Sequence, residues 1–106
     1  MVAGVVEFSI RPEHGDAVTK WYNEVVIPAA AKTGGLKGAI LLINRETGKS
    51  IGMGFWESKA DADAYESSAA LQGTLQKLKD QSVAFTSPPV RTEYTVAHAD
   101  LKFTVS

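Results

Sequence analysis

No cysteine occurs in this 106-residue sequence. That excludes disulfides, a thiolate nucleophile and thiolate metal sites. It also fits a reducing compartment, so a cytoplasmic protein is expected. Histidine is scarce: only His14 and His98 occur, far apart and outside any His-x-x-x-His or Glu-x-x-His spacing. No metal site is expected from them. Neither sign of charge is in excess, with 11 basic against 12 acidic residues and a net charge of −1. Such a balance offers no electrostatic ground for holding nucleic acid or an anionic membrane. No apolar run approaches the roughly 20 residues that a membrane-spanning helix needs. The first residues, Met1 to Glu7, lack a basic start and are cut short by Glu7, so they do not read as a signal peptide. What is present is 44% hydrophobic and 22% charged residues, enough to build the core of one domain over residues 1–106.

Periodicity gives the elements. Residues 2–10 alternate as a strand, with Val2, Gly4, Val6, Phe8 and Ile10 on one face. Arg11-Pro12-Glu13 opens a helix with proline early and acids in the first turn. Its apolar stripe is Val18, Trp21, Tyr22, Val25, Val26, Ala29 and Ala30. Pro28 lies inside that stripe and should kink the helix or reset its last turn, and Gly34-Gly35 should end it. Residues 36–44 form a second strand, Arg45 to Gly48 a tight turn, and 49–57 a third strand. Ser58-Lys59-Ala60-Asp61 resembles a capping box for a second helix through Tyr65. A break near Ser67-Ser68 precedes a further segment carrying Leu71, Leu75 and Leu78. Ser87-Pro88-Pro89 reads as a stop, residues 90–97 as a fourth strand, and 101–105 as one more possible strand in the tail.

The order β-α-β-β-α-β is α+β and ferredoxin-like: an antiparallel four-stranded sheet in the order 4-1-3-2 with the helices on one face. The other face should then turn polar. Strand 4 supplies polar residues for it in Arg91, Glu93 and Thr95, and strand 1 in Glu7 and Ser9, but strand 2 is apolar on both sides. An apolar sheet face needs a cover, and a second copy packed face to face supplies one. A homodimer is expected, with the tail 98–106 in its interface.

In Phe55-Trp56-Glu57-Ser58 a strand runs directly into a helix cap. Strand alternation puts Phe55 and Trp56 on opposite faces, with Gly52 and Gly54 on the Trp56 side leaving room beside the indole. Trp21 and Tyr22 from helix 1 and Tyr65 from helix 2 join Trp56 as candidates to line a pocket for a flat apolar molecule. The same residues can instead fill the core. His14, in the first helical turn, is either a neutral hydrogen-bonding group of that pocket or a solvated surface residue. Glu7 with Arg91 or Glu93 on strand 4 reads as a cross-strand ion pair, the alternative being a buried carboxylate that acts as a base near an apolar ligand. Lys59, Asp61, Asp63 and Glu66 read as a solvated helix face.

Several segments in order resemble a known superfamily. They are Val25-Val26-Ile27-Pro28-Ala29-Ala30, Gly34-Gly35-Leu36-Lys37-Gly38, Asn44-Arg45-Glu46-Thr47-Gly48-Lys49 and Phe55-Trp56-Glu57-Ser58. Over roughly residues 2–97 the chain is similar to the dimeric α/β-barrel superfamily, and most similar to its antibiotic biosynthesis monooxygenase-like domains. The resemblance implies cofactor-free oxygenases of aromatic polyketides, haem-degrading enzymes, proteins of quinol and aldehyde metabolism, or domains without known activity. The haem-degrading branch uses an asparagine on strand 1 and a histidine on helix 2, and neither stands in this sequence. The reading that follows is binding, extending to cofactor-independent oxidation, of a small hydrophobic or aromatic molecule, with no cofactor. A non-catalytic dimeric ligand-binding or stress-related protein is the alternative. An RNA-recognition domain shares the element order, but the pI near 6.1 and the apolar second strand oppose it.

Overall fold

The computed structural model describes residues 1–105. Strand β1 (Val2–Ser9) leads into a single 3-10 turn (Pro12–His14) and helix α1 (Gly15–Trp21). The chain then loosens into one π turn (Tyr22–Val26) before helix α2 (Ile27–Lys32). Pro28 explains the interruption. It has no N–H to donate, and its ring would collide with the carbonyl four residues back in a regular helix. The wider turn, closed by Ile27 N–H onto the Tyr22 carbonyl, accommodates it. Gly34 and Gly35, at φ +89° and +80°, then reverse the chain.

Strands β2 (Leu36–Ile43) and β3 (Lys49–Trp56) form the expected hairpin. Asn44 Oδ1 accepts from the backbone N–H groups of Glu46 and Thr47, and Gly48 closes the turn at φ +80°. Ser58 caps helix α3 (Lys59–Glu66): its hydroxyl accepts from Asp61 N and donates to the Asp61 carboxylate. After the break at Ser67-Ser68 comes helix α4 (Ala69–Asp80) and then strand β4 (Ser87–Thr95). All strand pairs are antiparallel and the order is β2-β3-β1-β4, so the ferredoxin-like β-α-β-β-α-β topology holds.

Three expectations need correction. Pro88 and Pro89 do not stop the chain before β4 but belong to it. Because β4 is a sheet edge, and its pairing slips between Glu7 and Ser9, their missing N–H groups leave no ladder bond unmade. The tail forms no further strand, and Leu101, Phe103 and Val105 stand in solvent. The third concerns sides. Gly4 pairs with Glu93 and Val6 with Arg91, whereas Glu7 pairs with Val90. Directly paired residues share a face, so Arg91 and Glu93 lie on the helix side and Glu7 on the other. No Glu7–Arg91 ion pair exists; Arg91 bonds Glu66 and Glu93 instead.

Apart from polar positions such as Glu7, Ser9, Lys49 and Thr92, the register leaves the sheet face away from the helices apolar. Val5, Ile40, Met53, Phe55, Val90 and Tyr94 stand there, and Leu42, Val90 and Tyr94 are each about half exposed. On the helix side the core divides in two. One cluster gathers Phe8, Ile10, Val18, Trp21, Tyr22, Leu78 and Val83. The other gathers Ala30, Trp56, Ala62 and Tyr65.

Candidate functional site

Both clusters wall a cavity of about 830 Å³ between the sheet and the helices. Its floor explains why it exists. In the register Ala39 lies beside Gly54, and Gly54 beside Gly4. In the next row Leu41 lies beside Gly52, and Gly52 beside Val6. Three glycines and an alanine thus sit together on the inward face, where large side chains would ordinarily fill the space under the helices. The bare backbone is the surface on which a flat molecule can rest.

The walls are aromatic. Trp56, 4% exposed, stacks on Tyr65 with ring centroids 5.5 Å apart. A Cβ on Gly54 would stand 3.1 Å from Trp56 Nε1, so the glycine gives the indole its place against the floor. That indole N–H has no hydrogen-bond partner among the described residues. Trp21 is fixed by Nε1 donating to Thr74 O at 2.7 Å. The Tyr22 hydroxyl reaches down to the sheet, donating to Met53 O at 2.9 Å with Ile40 O also in range at 3.2 Å. The Tyr65 hydroxyl is buried with no hydrogen-bond partner. Thr74 stands beside it: the Thr74 hydroxyl donates to Leu71 O at 2.7 Å and keeps lone pairs able to accept from Tyr65, a proximity that opposes the rise burial causes in the Tyr65 pKa.

The sequence thus placed four of its five candidates, Trp21, Tyr22, Trp56 and Tyr65, on one cavity wall. His14 is not on that wall; it is half-buried in the 3-10 turn, and its Nδ1 is buried without a partner. His98 stands exposed in the tail.

A polar group of residues borders the cavity that sequence reasoning missed. Arg91 Nε pairs with Glu66 Oε1, and Arg91 Nη2 with Glu93 Oε2 at 3.2 Å. Lys59 continues the chain to Glu93 at 3.4 Å and to Asp63 at 3.0 Å. The guanidinium lies over Gly4, where a Cβ would come within 3.3 Å of Nη2. Glu66 is therefore not part of a solvated face: its side chain is 28% exposed, and burial pushes its carboxyl above the usual range, with Arg91 opposing. Asp61, grouped with it, is half-buried against Gly35. Lys59 and Asp63 do stand mainly in solvent. A signal for Glu66 was available, since it lies four residues after the inward Ala62 and next to Tyr65 on the same stripe.

Burial pushes the Tyr22 phenol up to about 12, Tyr65 adds to the rise, and the bond to Met53 O opposes it. Folding thus favours the protonated phenol. The contribution is whole below the ordinary value of 10.0 and is lost as pH climbs from there towards 12. Stability should fall by on the order of 2 kcal/mol across that window from this group. Urea midpoints at pH 9 to 12 on the wild type and Tyr22→Phe measure it, and equal slopes for the two would refute it.

No family model matches the sequence, and no curated protein does. Solved structures do match. The monooxygenase ActVA-Orf6 of Streptomyces coelicolor, in complex with Nanaomycin D, superposes with a TM-score of 0.73 at 16% identity, covering 96% of this chain and 92% of that one. A variant of SnoaB, a cofactor-independent oxygenase of Streptomyces nogalater, gives 0.64 at 14% identity, covering 92% and 94%. A further antibiotic biosynthesis monooxygenase gives 0.67 at 14%, covering 90% and 97%. Identity this low carries the architecture and no chemistry. The chain has the fold of the antibiotic biosynthesis monooxygenase domain proteins.

Proposed function

We propose that the protein binds a small, flat, hydrophobic molecule of aromatic character in this cavity and oxidises it without a cofactor. The observation that carries the reading is an aromatic-walled cavity of about 830 Å³ over a floor of three glycines. That volume suits a ligand of a few fused rings. Cofactor-free oxidation asks little of a protein. The pocket must hold an electron-rich molecule away from water and accept its proton, after which the substrate itself passes electrons to dioxygen. Two proteins of the same fold support the reading, one holding Nanaomycin D and one a cofactor-independent oxygenase. Oxygen uptake with a panel of anthrones and hydroquinones tests it, with Trp56→Ala as the comparison. Uptake that Trp56→Ala abolishes upholds the proposal. Binding with no uptake across the panel makes the protein a non-catalytic ligand-binding dimer.

The reading includes a homodimer. The patch of Ile40, Met53 and Phe55, with Val90 and Tyr94 on the far side of Glu7, is a large apolar surface to leave in water, and a two-fold pairing of identical faces covers it. The tail, with Leu101, Phe103 and Val105 exposed on alternate positions, supplies the matching cover along the partner's sheet. Sedimentation should give twice the 11.3 kDa chain mass. Phe55→Glu, which puts a charge in the apolar part of the face, should return it to that of one chain. A single-chain mass for the wild type at micromolar concentration would refute the pairing.

A further inference from the structure

The cavity has a polar end, and its chemistry is specific. Two donors stand on its wall: the Trp56 indole N–H beside Gly54, and the Tyr65 hydroxyl, buried without a partner in hydrogen-bond geometry although Thr74 is close by. A buried hydroxyl left unmade is unfavourable by about as much as a hydrogen bond contributes. A ligand oxygen in the cavity would satisfy it. The acceptor at the same end is Glu66, next to Tyr65 on α3 and on the same wall. Glu66 Oε1 is paired with Arg91, while Oε2 accepts no hydrogen bond among the described residues. Arg91 is in turn held by Glu93 and stationed over Gly4, so the carboxylate is fixed from behind rather than by solvent.

Charge decides which ligand fits. At this end Arg91 and Lys59 are both paired, to Glu66, Glu93 and Asp63, so the cations there are already engaged, while Lys79 is the other cation on the cavity wall. A carboxylate ligand placed at this end would meet the Glu66 carboxylate directly. A neutral hydroxyl meets an acceptor. Resting on the reading that the cavity binds a flat aromatic molecule, we infer that Glu66 Oε2 accepts a hydrogen bond from a phenolic hydroxyl on the ligand's rim. Arg91 is the positioning residue, and the substrate class is phenols and hydroquinones rather than aromatic acids. Deprotonation is then one transfer. The ligand O–H bond breaks, the proton goes to Glu66 Oε2, and the electron pair stays on the ligand oxygen as a phenolate. Tyr65 and the Trp56 N–H are the donors available to that oxygen. Burial, which raises the affinity of Glu66 for a proton, makes it a better acceptor than an exposed carboxylate.

Calorimetric titration with three matched probes tests the inference: 1-naphthol, its methyl ether and 1-naphthoate. Wild-type protein should prefer naphthol over the ether by about tenfold, the scale of one hydrogen bond to a charged group. Naphthoate should bind more weakly than naphthol. Glu66→Gln should cut the preference to about threefold or less while leaving the ether's affinity unchanged, which also shows the cavity intact. A pH series on the wild type needs no variant. Naphthol affinity should fall as pH drops through the raised range of Glu66, and that of the ether should not. Arg91 and Glu93 on β4 and Asp63 on α3 are the other charged groups facing it. Equal binding of naphthol and ether, or a preference that survives Glu66→Gln, overturns the role of Glu66 and leaves the cavity reading standing. A preference for naphthoate overturns it in favour of Lys79, the other cation on the wall. Failure of all three probes to bind overturns both readings.

Discussion

Gly48→Ala should cost about 3–5 kcal/mol and lower the urea midpoint steeply. The position is demanding twice over. At φ +80° a Cβ is unfavourable by about 1–2 kcal/mol in any surroundings. Here the added Cβ would also stand 1.7 Å from the Ile10 carbonyl oxygen and 2.8 Å from its carbon, both backbone atoms. The hairpin turn must then draw away from the end of β1. That breaks the bond from Ile10 N to Gly48 O and disturbs Ile10, which is 1% exposed in the larger core cluster. Losing one backbone bond and part of a buried isoleucine adds about 2–3 kcal/mol to the conformational term. Small domains hold only about 5–15 kcal/mol in all. Gly34→Ala is the control. Its φ is +89°, yet nothing lies within 4 Å of the added Cβ, so only the conformational term of about 1–2 kcal/mol remains. Urea midpoints compare the two, and similar losses would show that the Ile10 collision relaxes freely.

The difference between these glycines was invisible in the sequence, and it marks where legibility ends. Features written within a dozen neighbouring residues were readable. The strand alternation of Val2 to Ile10, the Asn44–Gly48 turn, the Ser58 cap and the Trp21–Tyr22 stripe each carry their own geometry. Together with crossover handedness they give the sheet order. Features set by pairing between distant residues were not readable. Gly4, Gly52 and Gly54 become a floor only once β1 is registered on β3.

Strand β4 shows the same limit more sharply. An alternating strand does not say which side is inward, and polar residues are assigned to solvent by default. In this fold the inward side holds a cavity with a polar end, so Arg91 and Glu93 turn in while Val90 and Tyr94 turn out. The misplaced ion pair and the overlooked Glu66 are one error, because Glu66 has a partner only if Arg91 faces the helices. The change also strengthens the case for a covered sheet face, which now lacks the polar strand it was thought to have.

Gly52→Leu should remove most binding of a flat aromatic probe without unfolding the protein. The site tolerates a side chain. A Cβ there would stand 3.9 Å from Phe8 Cε1 and 4.0 Å from the Tyr22 hydroxyl, both ordinary contacts, and the backbone is at no positive φ. Glycine inside a strand is itself unfavourable by about 0.5–1 kcal/mol relative to alanine, so stability should hold or rise slightly. The leucine, however, rises from the floor of the cavity. A planar ligand then loses contact across one face, on the order of 100 Å² of apolar surface. At about 25 cal/mol per Å² that is about 2.5 kcal/mol, or roughly sixtyfold in affinity. Calorimetry with 1-naphthol and urea unfolding on the same preparation give both numbers. Weak binding in a fully stable variant is the expected pair. Unchanged affinity would mean the probe sits elsewhere, and the aromatic wall of Trp21, Tyr22, Trp56 and Tyr65 would then be core packing around an incidental void.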